Sequence, residues 1–364
     1  MRTPVAVITG FLGSGKTTLL NRLLQRPEMA GAAVIINEFG EIGLDHLLIA
    51  TPSENTVLLS SGCLCCTVRG DLVETLADLY RRRRDGAILA FDRVIVETTG
   101  LADPVPIIQT VVADPELAPL FTLDSVVTLV DAVNGAQQLD EHPESVKQAA
   151  VADRLLLTKT DLANVDDITA LRARLARINP GAEVCAVVRG AAEPHALFGT
   201  AINRSDASGQ TVKQWLRDTQ FAQAEAHAHR PHGAADVNRH DDHIRAFCIY
   251  HETPVSAAGL EMWLNMLAAL RGAKLLRVKG LLNVDGRPVA VHAVQTLIHE
   301  PVVLDRWPDD DRRSRLVFIT RDLAREAIEE TLSMLALRPE AGQRTPTLDP
   351  ETYAQFLAAA KSFR

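Results

Sequence analysis

Residues 10–17, GFLGSGKT, constrain this chain more than any other stretch, because they fit the pattern G-x-x-x-x-G-K-[ST]. The flanks agree. Residues 4–9 (PVAVIT) have the unbroken apolar character of a buried strand, and 18–24 (TLLNRLL) read as the start of a helix. Strand, glycine-rich turn and helix in that order make a phosphate-binding loop. The glycines let backbone N–H groups curl inward toward phosphate oxygens, and the helix N-terminus adds partial positive charge. Lys16 is placed to neutralise charge between β- and γ-phosphates, and Thr17 to hold Mg²⁺ through its hydroxyl. Gly10, Gly13, Ser14, Gly15, Lys16, Thr17 and Thr18 are the candidate nucleotide contacts.

The pattern continues as an alternation. Apolar strand-like runs at 33–36, 56–59, 92–96, 123–130, 154–157 and 183–188 are separated by helical segments at 16–25, 71–84, just after Asp103-Pro104, and 166–178. Strands alternating with helices predict an α/β fold: a mostly parallel, doubly wound sheet with helices on both faces. The connections between these elements carry the chemistry.

Residues 37–45 (NEFGEIGLD) hold two glycines and three carboxylates, in the region where phosphate-loop proteins often sense the γ-phosphate; by themselves they also suit a solvated acidic loop. Cys63, Cys65 and Cys66 form C-x-C-C after Gly62 and ahead of a helix. A helix N-terminus lowers thiol pKa values, and three thiolates plus one further ligand make the tetrahedral set that zinc prefers. Packing as small apolar residues, or a redox pair, are the competing readings. Glu97-Thr98-Thr99-Gly100 closes the next strand. A carboxylate there serves Mg²⁺ or its water, and Gly100 gives the segment the look of a D-x-x-G switch. Finally Thr158-Lys159-Thr160-Asp161 follows a strand and fits [NT]-K-x-D. An Asp161 carboxylate accepts hydrogen bonds from guanine N1–H and its amino group, which adenine cannot offer, so the expected nucleotide is GTP. A kinase would need ATP preference, against Asp161.

Formal net charge is −8, from 38 Lys and Arg against 46 Asp and Glu, which argues against a general nucleic-acid binder. Five cysteines, three of them clustered, do not form a disulfide framework and suit a reducing compartment. With no apolar run of membrane-spanning length, the expected location is the cytoplasm. Arg81–Arg84 complement a helix C-terminus. Residues 221–243, with His227, His229, His232, His240 and His243, read as a His-rich linker that either captures metal loosely or is merely solvated. From Ile244 a second, smaller α+β unit is expected, with a hairpin turn at Asp285-Gly286 and a helix over 321–335. His292 and His299 suit structural and functional roles equally.

Taken in order, GFLGSGKTTLLN, NEFGEIGLD, GCLCCTVRGDL, VIVETTGLADP, LLTKTD and LLRVKGLLNVDGRPVAVHAVQ closely resemble the CobW-type family of GTPases. The resemblance implies a P-loop GTPase domain over 1–220, the linker at 221–243, a CobW-type C-terminal domain over 244–336 and a tail over 337–364. It further implies a metallochaperone handling zinc, or cobalt for cobalamin synthesis. GTP would be held by the residues above with Lys159 and Asp161; Lys16, Thr17 and Glu97 would serve catalysis, and Thr17 and Glu97 also Mg²⁺. Cys63, Cys65 and Cys66 would hold the cargo metal, Zn²⁺ or Co²⁺, with Glu41 a candidate fourth ligand. In this reading Mg-GTP orders the 37–45 loop and gathers the thiolates, and hydrolysis releases metal to a client metalloprotein. No glutamine to position the attacking water is evident, so slow intrinsic turnover is expected. A GTPase switch with a structural metal, and a His-tract metal store, are the rival readings; oligomeric state is left open.

Overall fold

The computed structural model describes residues 2–37, 57–61, 68–228, 243–272 and 274–338. Seven strands pair in parallel into one sheet of order β3-β2-β4-β1-β5-β6-β7. They are β1 (Thr3–Gly10), β2 (Ala32–Asn37), β3 (Val57–Ser61), β4 (Arg93–Glu97), β5 (Phe121–Asp131), β6 (Arg154–Thr158) and β7 (Glu183–Val187). Between and after them run α1 (Lys16–Leu24), α2 (Val68–Arg84), α3 (Val105–Ala113), α4 (Gly135–Glu141), α5 (Pro143–Ala150), α6 (Val165–Ile178), α7 (Pro194–Leu197), α8 (Gly209–Leu216) and α9 (Asp218–Ala228).

Period-two alternation along the central strands sorts their side chains to two buried faces. Val5 and Val7 pack with Leu72, Leu76 and Leu79 of α2 and Ile107 and Ile108 of α3. Ala6 and Ile8 pack instead with Leu19, Leu20, Leu23 and Leu24 of α1. That is why the strands read as continuous apolar runs: neither face meets water.

The second sheet is antiparallel, of order β11-β10-β9-β13-β8 with β12 paired to β10. It comprises β8 (Ile244–His251), β9 (Leu275–Val284), β10 (Arg287–Val294), β11 (Leu297–Ile298), β12 (Val302–Val303) and β13 (Ser314–Arg321), with α10 (Ala257–Arg271) between β8 and β9. Asp285 and Gly286 make the expected hairpin turn, both at positive φ (48° and 90°). One face of this sheet packs under Trp263, Leu264 and Leu267 of α10. The other joins the first sheet's unit, with Leu276, Leu281, Val317 and Ile319 in one cluster with Val212, Trp215 and Phe221. All ten residues of β9 are therefore buried. Among them Arg277 and Lys279 pair with Asp153 across the interface.

Two expectations differ from what is found. Residues 221–228, read as the start of a linker, continue α9, anchored by buried Phe221 and by a 2.7 Å ion pair from Arg325 to Glu225. The single helix expected over 321–335 is broken. Arg321 still belongs to β13, Asp322 turns the chain at φ 50°, and only α11 (Arg325–Glu329) and a 3-10 turn at Leu332–Ala336 follow. Thr320 donates its hydroxyl to Leu323 O at 2.8 Å and fixes that turn.

Candidate nucleotide site

β1 delivers the phosphate loop to the C-terminal edge of the sheet. Gly10 leaves the strand at φ 141°, and a Cβ there would lie 2.4 Å from Leu129 O on β5, so only glycine fits. Gly13 and Gly15 need their glycine for conformation instead, at φ 72° and 94°. Gly15 caps α1, and no acidic side chain occupies that helix's first turn, so its positive end is left to an anion. Lys16 arcs back over the loop, its Nζ donating to Gly10 O at 2.9 Å and Phe11 O at 3.3 Å. Thr17 and Thr18 continue the same first turn.

β4 lies beside β1 with Glu97 opposite Ile8, and Glu97 is buried. The segment after it is tied to the phosphate-loop strand twice: Thr98 N donates to Ile8 O at 2.9 Å, and Thr98 Oγ1 to Thr9 Oγ1 at 2.8 Å. Gly100 then presses against the phosphate loop, where a Cβ would fall 2.6 Å from Leu12 N. The Glu-Thr-Thr-Gly segment and the phosphate loop thus form one contact surface.

On the other side of β1, strands β5 and β6 end side by side, with Asp131 opposite Thr158. The Thr158 hydroxyl donates to Ser14 O at 2.8 Å, so a threonine does the tying between this segment and the phosphate loop. Lys159 adopts φ 55° and pairs with Asp131 at 2.7 Å. Burial alone would raise the Asp131 carboxyl, but Lys159, the Val133 N–H and the Asn134 amide outweigh it and hold it below the usual carboxylate range. Asp161 is exposed beyond Lys159.

Sequence reasoning missed three contributors. Asp131 fixes Lys159. Gln148 of α5 donates to the carbonyls of Gly100 and Ala102. The turn after β7 carries Arg189 at φ 49° and Gly190, where a Cβ would lie 2.6 Å from Thr18 O, so this turn packs on the first turn of α1. An Arg-Gly pair directly after a strand on the guanine side was the available signal for the last.

Glu41, Cys63, Cys65 and Cys66 lie outside the described residues, as do the 38–45 loop, His229, His232 and His240. Among the described residues no group of three or more His, Cys, Asp or Glu is placed to hold a metal ion. Cys248 is buried and its thiol is pushed up to about 12, chiefly by that burial, which makes it a packing residue. A cavity of about 400 Å³ lies at the opposite edge of the parallel sheet, between the two units, lined by Asp124, Asp153, Trp215, His292 and His299. It is remote from the phosphate loop and lies outside the nucleotide site. His292 and His299 stack there at 4.3 Å, and burial holds both imidazoles neutral. No helix among the described residues is long and apolar enough to cross a membrane.

The comparisons agree with this arrangement. Residues 4–186 match the nucleotide-binding domain of the CobW/HypB/UreG family, and residues 244–336 match the cobalamin synthesis protein cobW C-terminal domain. The zinc chaperone YjiA of Escherichia coli is 36% identical over 337 residues, 91% of this chain and 99% of that protein. The zinc chaperone CobW of Pseudomonas aeruginosa is 31% identical, covering 91% of each chain. The crystal structure of the Zn(II)-bound YjiA GTPase from E. coli shares the fold with a TM-score of 0.67 at 31% identity, over 92% of this chain and 99% of that one. With its phosphate loop, its Glu-Thr-Thr-Gly and Thr-Lys-Thr-Asp segments at the same edge of one parallel sheet, and these similarities over nearly its whole length, the chain belongs to the CobW-type family of P-loop GTPases.

Proposed function

We propose that this protein is a GTP-dependent metallochaperone that carries Zn²⁺, or Co²⁺ in its place, on Cys63, Cys65 and Cys66 and releases it to a client metalloprotein on GTP hydrolysis. The observation that carries the nucleotide half is the convergence of four neighbouring strand ends: Glu97 on β4, Gly10 on β1, Asp131 on β5 and Thr158 on β6. The cargo half rests on the C-x-C-C sequence and on relatives named as zinc chaperones.

In this reading Gly13, Ser14 and Gly15 cradle the phosphates with backbone N–H groups. Lys16 exchanges its two carbonyl acceptors for phosphate oxygens, and Lys159 and Asp161 hold guanine. The Thr17 hydroxyl and the buried Glu97 carboxylate are hard oxygen donors of the kind Mg²⁺ takes. Mg²⁺ held by these residues would neutralise negative charge on the phosphates. Thr98, Gly100 and the 37–45 loop, with Glu41 as a candidate fourth metal ligand, pass the loss of the γ-phosphate to the cysteines. The change in metal affinity is bounded by the free-energy difference between the two nucleotide states.

A competitive chelator titration with Zn²⁺ and with Co²⁺, in Mg-GTP, in Mg-GDP and without nucleotide, tests this. Tighter binding in Mg-GTP that disappears in the Cys63→Ala, Cys65→Ala and Cys66→Ala variants is the expected result. Equal affinity in all three states would remove the gating and leave a GTPase with a structural metal.

A further inference from the structure

Helix α5 touches both halves of the nucleotide site without belonging to either. At its N-terminal end, His142 stacks on Phe11 of the phosphate loop, with ring centroids 4.5 Å apart and 23° between planes. Near its C-terminal end, Gln148 is 1% exposed and its Nε2 donates to Gly100 O at 3.2 Å and to Ala102 O at 2.9 Å. The preceding residue, Lys147, pairs with Asp103. The Gln148 carbonyl in turn accepts from Thr128 Oγ1 at 2.9 Å, so α5 is itself pinned to β5. One helix thus sets the spacing between the phosphate loop and the segment 98–103.

The bond to Gly100 fixes more than a position. A trans peptide points its N–H opposite its carbonyl. With Gly100 O held by Gln148, the Leu101 N–H is directed away from α5. Thr99 O accepts from the Ala102 N–H at 3.1 Å within the segment's own turn, which fixes the Gly100 N–H, and Gln148 reaches that turn through Ala102 O. Among the described residues neither the Gly100 nor the Leu101 N–H has a protein acceptor. Two oriented donors beside the phosphate loop are a ready site for a terminal phosphate oxygen.

We propose that Gln148 is a positioning residue for the nucleotide response, holding the Gly100 and Leu101 N–H groups in the orientation that accepts the γ-phosphate of GTP. This rests on the GTP reading above. GDP, which lacks that phosphate, gains nothing from the arrangement, so Gln148 governs discrimination between the two nucleotides rather than nucleotide binding as such. Lys147 acts in the same sense through Asp103, more weakly because that pair is partly solvated.

The test uses the full chain with Mg²⁺ and compares Gln148→Met, which keeps length and removes the donor, with the unaltered protein. Affinities for GDP and for the β,γ-imido analogue of GTP are measured by fluorescence titration, and kcat by phosphate release. The expected result is a fall of about tenfold in analogue affinity and in kcat, the scale of losing the hydrogen bonds that order one segment. GDP affinity should stay within about twofold. Equal weakening of both nucleotides would overturn the proposal and make Gln148 a purely structural residue; unchanged affinities and kcat would overturn it as well. If Gln148→Met does not fold, Lys147→Met decides. A roughly threefold fall in the analogue-to-GDP affinity ratio is expected there, and an unchanged ratio overturns the idea. An unaltered protein that binds neither guanine nucleotide would sink the GTP reading itself, and this inference with it.

Discussion

Replacing Asp153 by asparagine removes one charge and almost no volume, at a point where the two units meet. Asp153 Oδ2 accepts from the Val126 N–H at 3.0 Å, while Oδ1 accepts from Lys279 Nζ at 3.1 Å and from Arg277. The side chains of Arg277 and Lys279 are only 4% and 7% exposed. The Asp153→Asn variant would leave the Arg277 guanidinium buried beside a neutral amide and take from Lys279 its anionic partner. Breaking a buried pair in this way costs about 3–5 kcal/mol, a large part of a total stability of about 5–15 kcal/mol. Urea unfolding at pH 7, followed by tryptophan fluorescence, reads this; Lys279 Nζ sits 5.3 Å from the Trp215 ring, while Trp263 and Trp307 contribute to the same signal. A loss below about 1 kcal/mol would refute the argument. The cluster also predicts a pH dependence. Arg277 is the nearer counter-ion of Asp153, and Lys279 is the group that yields. Burial first, and Arg277 second, push its ammonium down to about 7. Its folded value thus lies below the ordinary value of about 10.4. Between those limits the unfolded chain holds a proton that the folded chain has shed, so stability rises with pH across that window. Lys279→Met should abolish that rise at little cost near neutral pH; a rise that persisted would assign it to other groups.

Two further substitutions probe the nucleotide edge. Gly10→Ala forces a Cβ to within 2.4 Å of Leu129 O on a central strand, so the melting curve should show a loss of about 1–3 kcal/mol, and GDP titration a large drop in affinity. Thr158→Val keeps shape but leaves Ser14 O without its 2.8 Å donor; about 1 kcal/mol of stability and several-fold in GDP affinity should go together, and loss of one without the other would separate guanine-segment placement from folding.

The phosphate loop was legible because its demands are local: a strand, glycines at positive φ and a helix start all fall within consecutive residues. The parallel sheet was legible for a related reason, since strands buried on both faces leave unbroken apolar runs such as 154–157. Gln148 was not, because nothing in its own helix marks it; its partners Gly100 and Ala102 lie far back in the chain and only the fold brings them together. Nor was the interface between the units: Arg277 and Lys279 alternate with apolar residues along β9, and only the fold brings them to Asp153. Residues 221–228 read as linker because polarity and histidines hide the buried Phe221, and because Arg325, the partner of Glu225, lies far along the chain. The helix expected over 321–335 failed on a backbone feature: Asp322 in the left-handed region breaks a pattern that composition alone would continue.

That shared face makes a last prediction about independence. The two sheets could be taken for separable domains, since each has its own topology and each matches its own family domain. The packing says otherwise. Val212, Trp215, Leu216 and Phe221 belong to the same apolar cluster as Leu276, Leu281, Val317 and Ile319, and they have the second sheet as their cover. Cutting the chain after residue 228 would bare that cluster as a contiguous apolar patch, of a size that isolated soluble domains rarely show. It would also strip Asp153 of Arg277 and Lys279, leaving its carboxylate hydrogen-bonded by Val126 N at 3.0 Å at a newly wetted surface. The nucleotide edge lies at the other end of the sheet, and the phosphate-loop contacts described above all fall within residues 2–228. The fragment should therefore aggregate on gel filtration, or unfold at a markedly lower urea concentration than the full chain, and saturating GDP should recover only the part of that loss that ligand linkage allows. A monomeric fragment with the full chain's midpoint would mean that the interface contributes no net stability, and that the buried triad at its centre is neutral as well.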